Sequence, residues 1–285
     1  MMLEYAMTAG LYHPEENFFE TEINQLAEAG FTCVDYRSVV LDNTPALLMP
    51  YHEFRTLINE HKRIMDTAGI SVCQTHGPWM WPPLDGDAET RAIRFEKMKR
   101  AIEANAMVGS RYMVVHPLMP KGYKDEDAEL SREVNFEFYS RLAEVGREFD
   151  VVIALENMPF VRQPWWLPAP IAEFAASFQN DYVKVCLDTG HSFMRGDSPD
   201  DAVRAIGADL LTTLHVHDND GTEDQHLVPY DGKTNWPAFI ASLREVGFRG
   251  ALSLESKVPF DCPDDERLAL FRKMKASLDR MTGVS

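Results

Sequence analysis

The chain has 285 residues, of which 45% are hydrophobic and 26% are charged, values typical of a globular protein rather than a disordered one. Its formal net charge of −17, with no clustering of basic residues, argues against binding to the phosphate backbone of a nucleic acid. The four cysteines lack C-x-x-C spacing, and neither a signal peptide nor an apolar run of about 18 residues is seen, so we expect a soluble cytoplasmic protein without membrane contact.

Apolar strand-like runs alternate with amphipathic helical stretches along the whole chain. The first half predicts strands at 3–8, 31–36, 70–76 and 112–116, with helices at 18–29, 51–68, 87–108 and 126–148. The second half predicts strands at 151–156, 183–188, 211–217 and 251–255, with helices at 199–206, 236–246 and 263–281.

The eight strands define eight repeating units, seven of which have a helix in these ranges, and no linker or shift in composition interrupts them. Regular alternation of this kind predicts a parallel sheet, and eight units predict an α/β fold that closes into a (β/α)8 TIM barrel. The expected organisation is therefore a single domain over residues 1–285. A doubly wound open sheet is the alternative, but no G-x-G-x-x-G follows the first strand.

The predicted strands from the third onward end in residue types that bind metals. In a parallel barrel these strand ends meet at one mouth. The residues are His76, His116, Glu156, Asp188, either His215 or His217, and Glu255. Alternation along the last strand places Ser253 and Glu255 on its inward face. Burying several carboxylates together is costly without a cation, which predicts a divalent metal at the mouth.

Two further segments supply ligand types at the same end of the predicted barrel. In V-K-V-C-L-D-T-G-H-S, a Thr-Gly turn after Asp188 brings His191 back beside that carboxylate. After the seventh strand, Asp224-Gln225-His226 presents a carboxylate and an imidazole on one loop. A solvated polar loop is the alternative for Asp224 and His226 if the site holds one metal.

Two strand-to-helix loops, 76–83 and 159–168, hold four of the five tryptophans together with several prolines. Such stiff apolar loops favour walls or lids around a small polar ligand, with Trp79 and Trp165 as candidates for substrate contact. A hydrophobic plug or a subunit contact explains them equally well, which leaves a homo-oligomer open.

Seven short motifs are distributed over nearly the whole chain. They are T-H-G-P at 75–78, V-V-H-P at 114–117, A-L-E-N at 154–157, C-L-D-T-G-H at 186–191, L-H-V-H-D-N at 214–219, D-Q-H at 224–226 and S-L-E-S at 253–256. With these motifs the sequence resembles the xylose-isomerase-like TIM barrels, the superfamily that holds sugar (phosphate) isomerases and epimerases together with endonuclease IV.

The resemblance implies a metal site and roles for particular residues. An epimerase-type site would consist of Glu156, Asp188, His215 and Glu255, with His217 as the alternative to His215 in another register, and with Glu156 and Glu255 as the acid/base pair. An endonuclease-type cluster would add further metal ligands, and matching positions hold His76, His116, His191, Asp224 and His226. Substrate contacts are expected from His116, His191, His217, Trp79 and Trp165.

The function that these residues favour is a metal-dependent isomerase or epimerase of a sugar, sugar phosphate or related polyol ketone. A divalent ion, Mn²⁺, Co²⁺, Mg²⁺ or Zn²⁺, would chelate the carbonyl and its neighbouring hydroxyl while a carboxylate removes the adjacent proton. The alternatives are a multi-zinc phosphodiesterase like endonuclease IV, a metal-dependent lyase or dehydratase, and a sugar-binding barrel without catalysis. The acidic charge argues against DNA as the substrate.

Overall fold

The computed structural model describes residues 3–15, 17–125, 127–160, 162–163 and 167–284. Within them, eight parallel strands form a nearly closed barrel with helices between them, which confirms the predicted single-domain TIM barrel. The strands are β1 (Glu4–Ala9), β2 (Cys33–Tyr36), β3 (Ser71–His76), β4 (Tyr112–Val115), β5 (Val152–Glu156), β6 (Val183–Asp188), β7 (Leu211–His215) and β8 (Ala251–Leu254).

The strands pair in chain order from β1 to β7, and β8 pairs with β1. A single parallel bridge between Val216 and Leu254 connects the last two strands. The ladder between β6 and β7 ends at His215, and in the next residue the amide of Val216 donates to the carbonyl of Ser253 at 2.7 Å. The seventh strand therefore ends two residues before the predicted end at His217.

Ten helices lie in the described part of the chain. They are α1 (Phe18–Ala29), α2 (Pro45–Leu48), α3 (Tyr51–Ala68), α4 (Ala88–Val108), α5 (Ala128–Phe149), α6 (Pro168–Ser177), α7 (Thr189–Met194), α8 (Pro199–Ile206), α9 (Trp236–Val246) and α10 (Asp264–Thr282). The sequence patterns located neither α2 nor α6. The predicted turn after Asp188 is wrong in detail, because Thr189 begins the short helix α7, whose His191 amide donates to the Asp188 side chain at 2.7 Å.

The inside and the outside of the barrel are filled by different residues. On β8, Leu252 and Leu254 belong to the large core between strands and helices, whereas Ala251 packs with Ala6 and Cys33 in a separate small cluster. This is the alternation predicted for the last strand. Small residues fill the barrel interior below its mouth, so the polar side chains gather above them.

No helix in the described ranges combines the length and the apolar character that crossing a membrane requires.

Candidate metal centre

Four side chains from neighbouring strand ends meet at the mouth of the barrel. Glu156 ends β5, Asp188 ends β6, His215 ends β7 and Glu255 follows β8, and each offers a ligand atom within 4.8 Å of the others. Nδ1 of His215 lies 3.1 Å from a carboxylate oxygen of Glu156 and 3.1 Å from one of Glu255. Parallel strands bring these residues together because all of their carboxyl ends point to the same rim.

This first cluster has buried polar atoms without a hydrogen-bond partner. They are Oε2 of Glu156, Oε2 of Glu255 and Nδ1 of His215. Unpaired buried carboxylate oxygens are costly, and a cation among them would remove that cost. Three carboxylates and one imidazole form an oxygen-rich donor set that fits a divalent metal.

The orientation of His215 is determined from behind by Asp35 in β2. The Oδ2 atom of Asp35 lies 3.1 Å from Nε2 of His215. The same oxygen accepts hydrogen bonds from Arg37 at 2.9 Å and from Gln74 at 3.2 Å. Since a carboxylate offers only acceptors, Nε2 donates to Asp35, and Nδ1 is the ring atom that faces Glu156 and Glu255, where a metal would take the place of its proton.

Arg37 connects Asp35 to the carboxylate of Glu255. Its Nη1 atom donates to Oε1 of Glu255 at 2.6 Å, and its Nη2 atom donates to Oδ2 of Asp35. Burial raises the pKa of Asp35, but Arg37 and His215 outweigh burial and lower it to about 2. In the same way Arg37 and His215 outweigh burial at Glu255, whose pKa is lowered, so both carboxyl groups are ionised at neutral pH.

Asp35, Arg37 and Gln74 are not among the predicted site residues. The prediction rests on strand-end residues from the third strand onward, whereas Asp35 and Arg37 lie at the end of the second strand and Gln74 lies inside the third. A signal was present in the sequence. Asp35-Tyr36-Arg37 at the end of the second strand is also a pair of charged residues at a strand end. The residue types differ from those of the other strands, however, and nothing local indicates that Arg37 reaches Glu255.

A second cluster joins the first through Glu156. Oε2 of Glu156 lies 3.4 Å from Nε2 of His76 and 3.3 Å from Nε2 of His116, and these two nitrogens are 3.2 Å apart. Nδ1 of His76 donates to the carbonyl of Gly77 at 2.7 Å, which leaves Nε2 free to accept. Burial lowers the pKa of His116 to about 4 despite the neighbouring carboxylate of Glu156, so that imidazole is neutral, as a metal ligand must be.

A third cluster consists of His191, His217, Asp224 and His226. Oδ2 of Asp224 lies 3.3 Å from Nε2 of His191 and 3.2 Å from Nε2 of His226. The other ring nitrogens donate to backbone carbonyls, His191 to Asn157 at 2.8 Å and His226 to Glu255 at 2.7 Å. Both imidazoles therefore present Nε2 to Asp224, as in metal sites whose histidines are held by backbone carbonyls.

His217 belongs to this third cluster and does not occupy the place of His215. Its Nε2 atom lies 3.0 and 3.1 Å from the two carboxylate oxygens of Asp188. The ring fits because residue 190 is glycine, since a Cβ there would lie 2.0 Å from Cε1 of His217. Asp224, with 31% of its side chain exposed, faces these imidazoles and is not part of a fully solvated loop.

Two imidazoles of the third cluster, those of His191 and His226, have raised pKa values. Burial lowers the pKa of His191, but Asp188, Asp224 and Glu156 raise it well above its ordinary value. Burial also opposes charge on His226, yet the hydrogen bond to Asp224 helps to raise its pKa to about 9. Protons on the imidazoles thus balance the carboxylates where cations would otherwise do so.

A cavity of about 360 Å³ opens above the clusters, which is the size of a small-molecule site. Its lining includes Trp79, whose ring centroid lies 4.9 Å from that of His116. Trp81 is 62% exposed and packs against Tyr123 and Phe160 at the rim. One tryptophan loop is thus a wall of the cavity, whereas Trp165 of the other loop lies outside the described residues.

Asp218, three residues after His215, supports the site without facing it. Its carboxylate accepts hydrogen bonds from five N–H groups, the backbone amides of Asn219, Tyr230, Gly232 and Thr234 and the indole of Trp236. The carboxylate is fully enclosed by the segment that leads into α9. It therefore organises a loop and is not a ligand in any of the three clusters.

Comparison with protein families and curated proteins identifies relatives of the chain. The family model described as xylose isomerase-like TIM barrel matches residues 23–275. An uncharacterized protein of Methanocaldococcus jannaschii is 27% identical over 179 residues, which cover 61% of this chain and 60% of that protein, less than two thirds of its length. A D-psicose 3-epimerase of Enterocloster bolteae is 26% identical over 227 residues, covering 76% of this chain and 71% of the enzyme.

Solved structures share the fold at lower sequence identity. A D-psicose 3-epimerase from Clostridium cellulolyticum H10, solved with D-tagatose, has a TM-score of 0.78 and 19% identity, covering 98% of this chain and 99% of that chain. The IOLI protein, solved with a zinc atom, has a TM-score of 0.76 and 16% identity, covering 97% of this chain and 99% of that chain.

Proposed function

Since the chain belongs to the xylose isomerase-like TIM barrel family, we propose that it is a metal-dependent isomerase or epimerase of a sugar, sugar phosphate or related polyol ketone. The observation that carries this proposal is the first cluster, in which Glu156, His215 and Glu255 hold buried atoms without partners at the base of a small-molecule cavity. The relative and the structural neighbour named as sugar epimerases support the same reaction class.

Glu156, Asp188, His215 and Glu255 would hold the divalent ion, Mn²⁺, Co²⁺, Mg²⁺ or Zn²⁺. When bound there, the ion would supply Lewis-acid polarisation of a substrate carbonyl and of its neighbouring hydroxyl. The neighbouring structure with a zinc atom supports a divalent metal in this fold. Asp35 would keep Nδ1 of His215 directed at the ion.

Glu156 and Glu255 would transfer the proton at the carbon next to the carbonyl. Burial opposes charge on Glu156, yet His215 and His116 hold its pKa well below the usual range, so it is available as a base. Because the two carboxylates come from β5 and from the end of β8, they approach the cavity from different sides. Removal by one and return by the other gives epimerisation, whereas return to the adjacent carbon gives isomerisation.

The remaining polar and aromatic groups of the cavity would bind the substrate. His116 and His191 would contact its oxygens, and Trp79 would pack against its carbon skeleton. His217, also predicted to contact the substrate, is fully buried and is not among the residues that line the cavity. The walls around Trp79 would limit the access of water during proton transfer.

Proton exchange tests the proposal directly. Metal content is measured on the purified protein, and ketoses are screened in D₂O for deuterium at the carbon next to the carbonyl. We expect close to one metal per chain and exchange that falls at least about 100-fold in Glu156→Gln and in Glu255→Gln. Glu173→Gln, an exposed change on α6, is the matched control. A Glu156→Gln variant that kept its metal and full exchange would contradict the acid/base assignment.

A second candidate, a multi-metal phosphodiesterase, is favoured by the second and third clusters, which adjoin the first one. They would make His76, His116, His191, Asp224 and His226 ligands of further ions. Two or three zinc ions per chain, with hydrolysis of bis(4-nitrophenyl) phosphate, would support it.

A lyase or dehydratase is distinguished in the same D₂O experiment, because its products have lost water or a part of the carbon chain. The charge of −17 argues against duplex DNA as the substrate of any of these activities.

A further inference from the structure

A permanent positive charge lies beside the first cluster, on the guanidinium group of Arg37. Among the described residues that line the cavity above the clusters, Arg37 is the only arginine or lysine. It directly follows β2, and only 9% of its side chain is exposed. Because a guanidinium group does not lose its proton in proteins, this charge faces the candidate ligands at every pH at which the chain is folded.

The two carboxylate oxygens of Glu255 have different surroundings. Oε1 accepts a short, charge-assisted hydrogen bond from Nη1 of Arg37 at 2.6 Å. Oε2 has no hydrogen-bond partner in the described ranges and lies 3.1 Å from Nδ1 of His215. Oε2 is therefore the oxygen available to a divalent ion, and one carboxylate would be shared by two cations.

Arg37 does not form a closed pair with a single carboxylate. Nη1 donates to Glu255 and Nη2 donates to Oδ2 of Asp35 at 2.9 Å, while Nε is buried and finds no partner in the part of the chain that the structure describes. The same oxygen of Asp35 also contacts His215 and Gln74. Since no bidentate pair neutralises the guanidinium group, its charge still acts on the first cluster and on the cavity.

The charges of the first cluster leave a role for such a cation. Glu156, Asp188 and Glu255 carry three negative charges when they are ionised, one more than a divalent ion supplies. Removal of a proton from the substrate adds a further negative charge at the same place. Three carboxylates bind an ion tightly but reduce its strength as a Lewis acid, and a fixed cation behind one of them counteracts that reduction.

We propose that Arg37 promotes the reaction and does not retain the metal: its charge weakens Glu255 as a ligand and stabilises the negative charge that develops on the substrate when the proton leaves. This inference rests on the proposed function. Arg37 is then a positioning residue whose loss changes two measurements in opposite directions. Metal binding becomes tighter because a repelling cation is gone, whereas proton removal becomes slower. If Arg37 were only a scaffold for Glu255, both would decrease together.

The test compares Arg37→Met with the unmodified protein in two assays. The dissociation constant for Mn²⁺, measured in competition with a chelator, is expected to fall by roughly 10-fold. At saturating Mn²⁺, kcat for deuterium exchange into D-tagatose, or into the ketose of the screen that exchanges fastest, is expected to fall by roughly 100-fold with little change in KM. Arg272→Met, on the exposed side of α10, is the matched control and should change neither constant.

Arg37→Lys separates charge from geometry, because it keeps the positive charge without the planar fork. We expect it to hold the original dissociation constant within about threefold and to keep at least about a tenth of kcat. It also decides the test if Arg37→Met does not fold. A loss of metal affinity in Arg37→Lys would then overturn the inference, since a charge without the scaffold would not have preserved the site.

Weaker or unchanged Mn²⁺ binding in Arg37→Met would overturn the inference, and so would an unchanged kcat. Either result leaves the proposed function intact, because the unmodified protein still exchanges. If no ketose exchanges in the unmodified protein, the proposed function fails. The dissociation constants then decide the effect of Arg37 on Glu255 alone: tighter binding in Arg37→Met supports it, and any other result contradicts it.

Discussion

At the scale of single residues, Asp35 orients the side chains of the candidate metal centre. It is fully buried and holds His215, Arg37 and Gln74 through one carboxylate oxygen. Arg37 in turn holds Glu255, so two of the four side chains in the first cluster depend on Asp35. A substitution of Asp35 should therefore weaken metal binding, although Asp35 is not itself one of the four candidate ligands.

Asp35→Asn is expected to weaken metal binding by about 10- to 100-fold, because an amide no longer specifies which nitrogen of His215 carries the hydrogen. The measurement is the dissociation constant for Mn²⁺ or Zn²⁺ in competition with a chelator. Asp209→Asn, on the exposed surface, is the control and should bind as the unmodified protein does. Equal constants for both variants would refute the role given to Asp35.

At the scale of elements, two sets of contacts hold the chain near the three clusters, one in the segment that leads into α9 and one between α3 and the end of β2. The segment that leads into α9 is wrapped around Asp218, and Gly232 fits there because a Cβ would lie 2.4 Å from Oδ1 of that residue. The second connection is between α3 and β2, where Nδ1 of His61 and the hydroxyl of Tyr36 form a hydrogen bond of 2.7 Å at the end of the strand, one residue before Arg37. Asp218 directly follows His217 of the third cluster, and Tyr36 directly precedes Arg37, which donates to Glu255.

Asp218→Asn is expected to lower the free energy of unfolding by on the order of 3 kcal/mol. One carboxylate oxygen would be replaced by an NH₂ group, which cannot accept, so buried N–H groups would lose their acceptor. Urea denaturation measures the loss, and hydrogen exchange should show faster exchange at the amides of 230–234. Asp220→Asn in the same loop is the control, with an expected loss below about 1 kcal/mol. Equal losses in both variants would mean that Asp218 does not organise the segment.

His61 predicts a pH dependence of stability. Burial lowers its pKa to about 4, below the ordinary value of 6.5, so between these values the unfolded chain binds the proton and the folded chain does not. The stabilising contribution is present above pH 6.5 and decreases as the pH falls towards 4, by on the order of 2 kcal/mol.

His61→Gln should show a smaller loss of stability than the unmodified protein when urea denaturation is compared at pH 7.5 and pH 4.5. His52→Gln, whose histidine side chain is 82% exposed, is the control and should keep the original dependence. If both variants lose stability equally on acidification, His61 is not the source of the effect.

At the scale of the whole molecule, ionisable groups of both signs are concentrated at one end of the barrel. The three clusters contain six of the nine histidines together with Glu156, Asp188, Asp224 and Glu255. Cations bound only in the folded state would stabilise it by mass action, and the stabilisation grows with the free metal concentration.

Removal of the metal with a chelator is expected to lower Tm by roughly 5 °C or more, and added Mn²⁺, Co²⁺ or Zn²⁺ should restore it in a concentration-dependent way. Differential scanning calorimetry provides the measurement. The increase on addition of metal should be lost in His215→Gln and retained in Glu173→Gln. An unchanged Tm with each ion would contradict a metal centre built from these residues.

The sequence by itself determined the barrel and the end of it that carries polar residues. Alternating strands and helices predict a parallel barrel, and the identity of the strand-end residues from His76 to Glu255 places ionisable groups at one rim. The motifs shared with the family contain the same strand-end residues. Periodicity and motifs are local properties, so they could be read without knowledge of the packing.

Only the tertiary structure decided which of these residues touch. Asp35 and His215 are 180 residues apart, and Arg37 and Glu255 are 218 apart. Periodicity states which face of a strand a residue occupies, but not its neighbour across the barrel. The ladder of β7 ends at His215, before His217, and Val216 between them pairs with Leu254 of β8. Contacts made by closing the barrel are non-local, and so only the folded chain contains them.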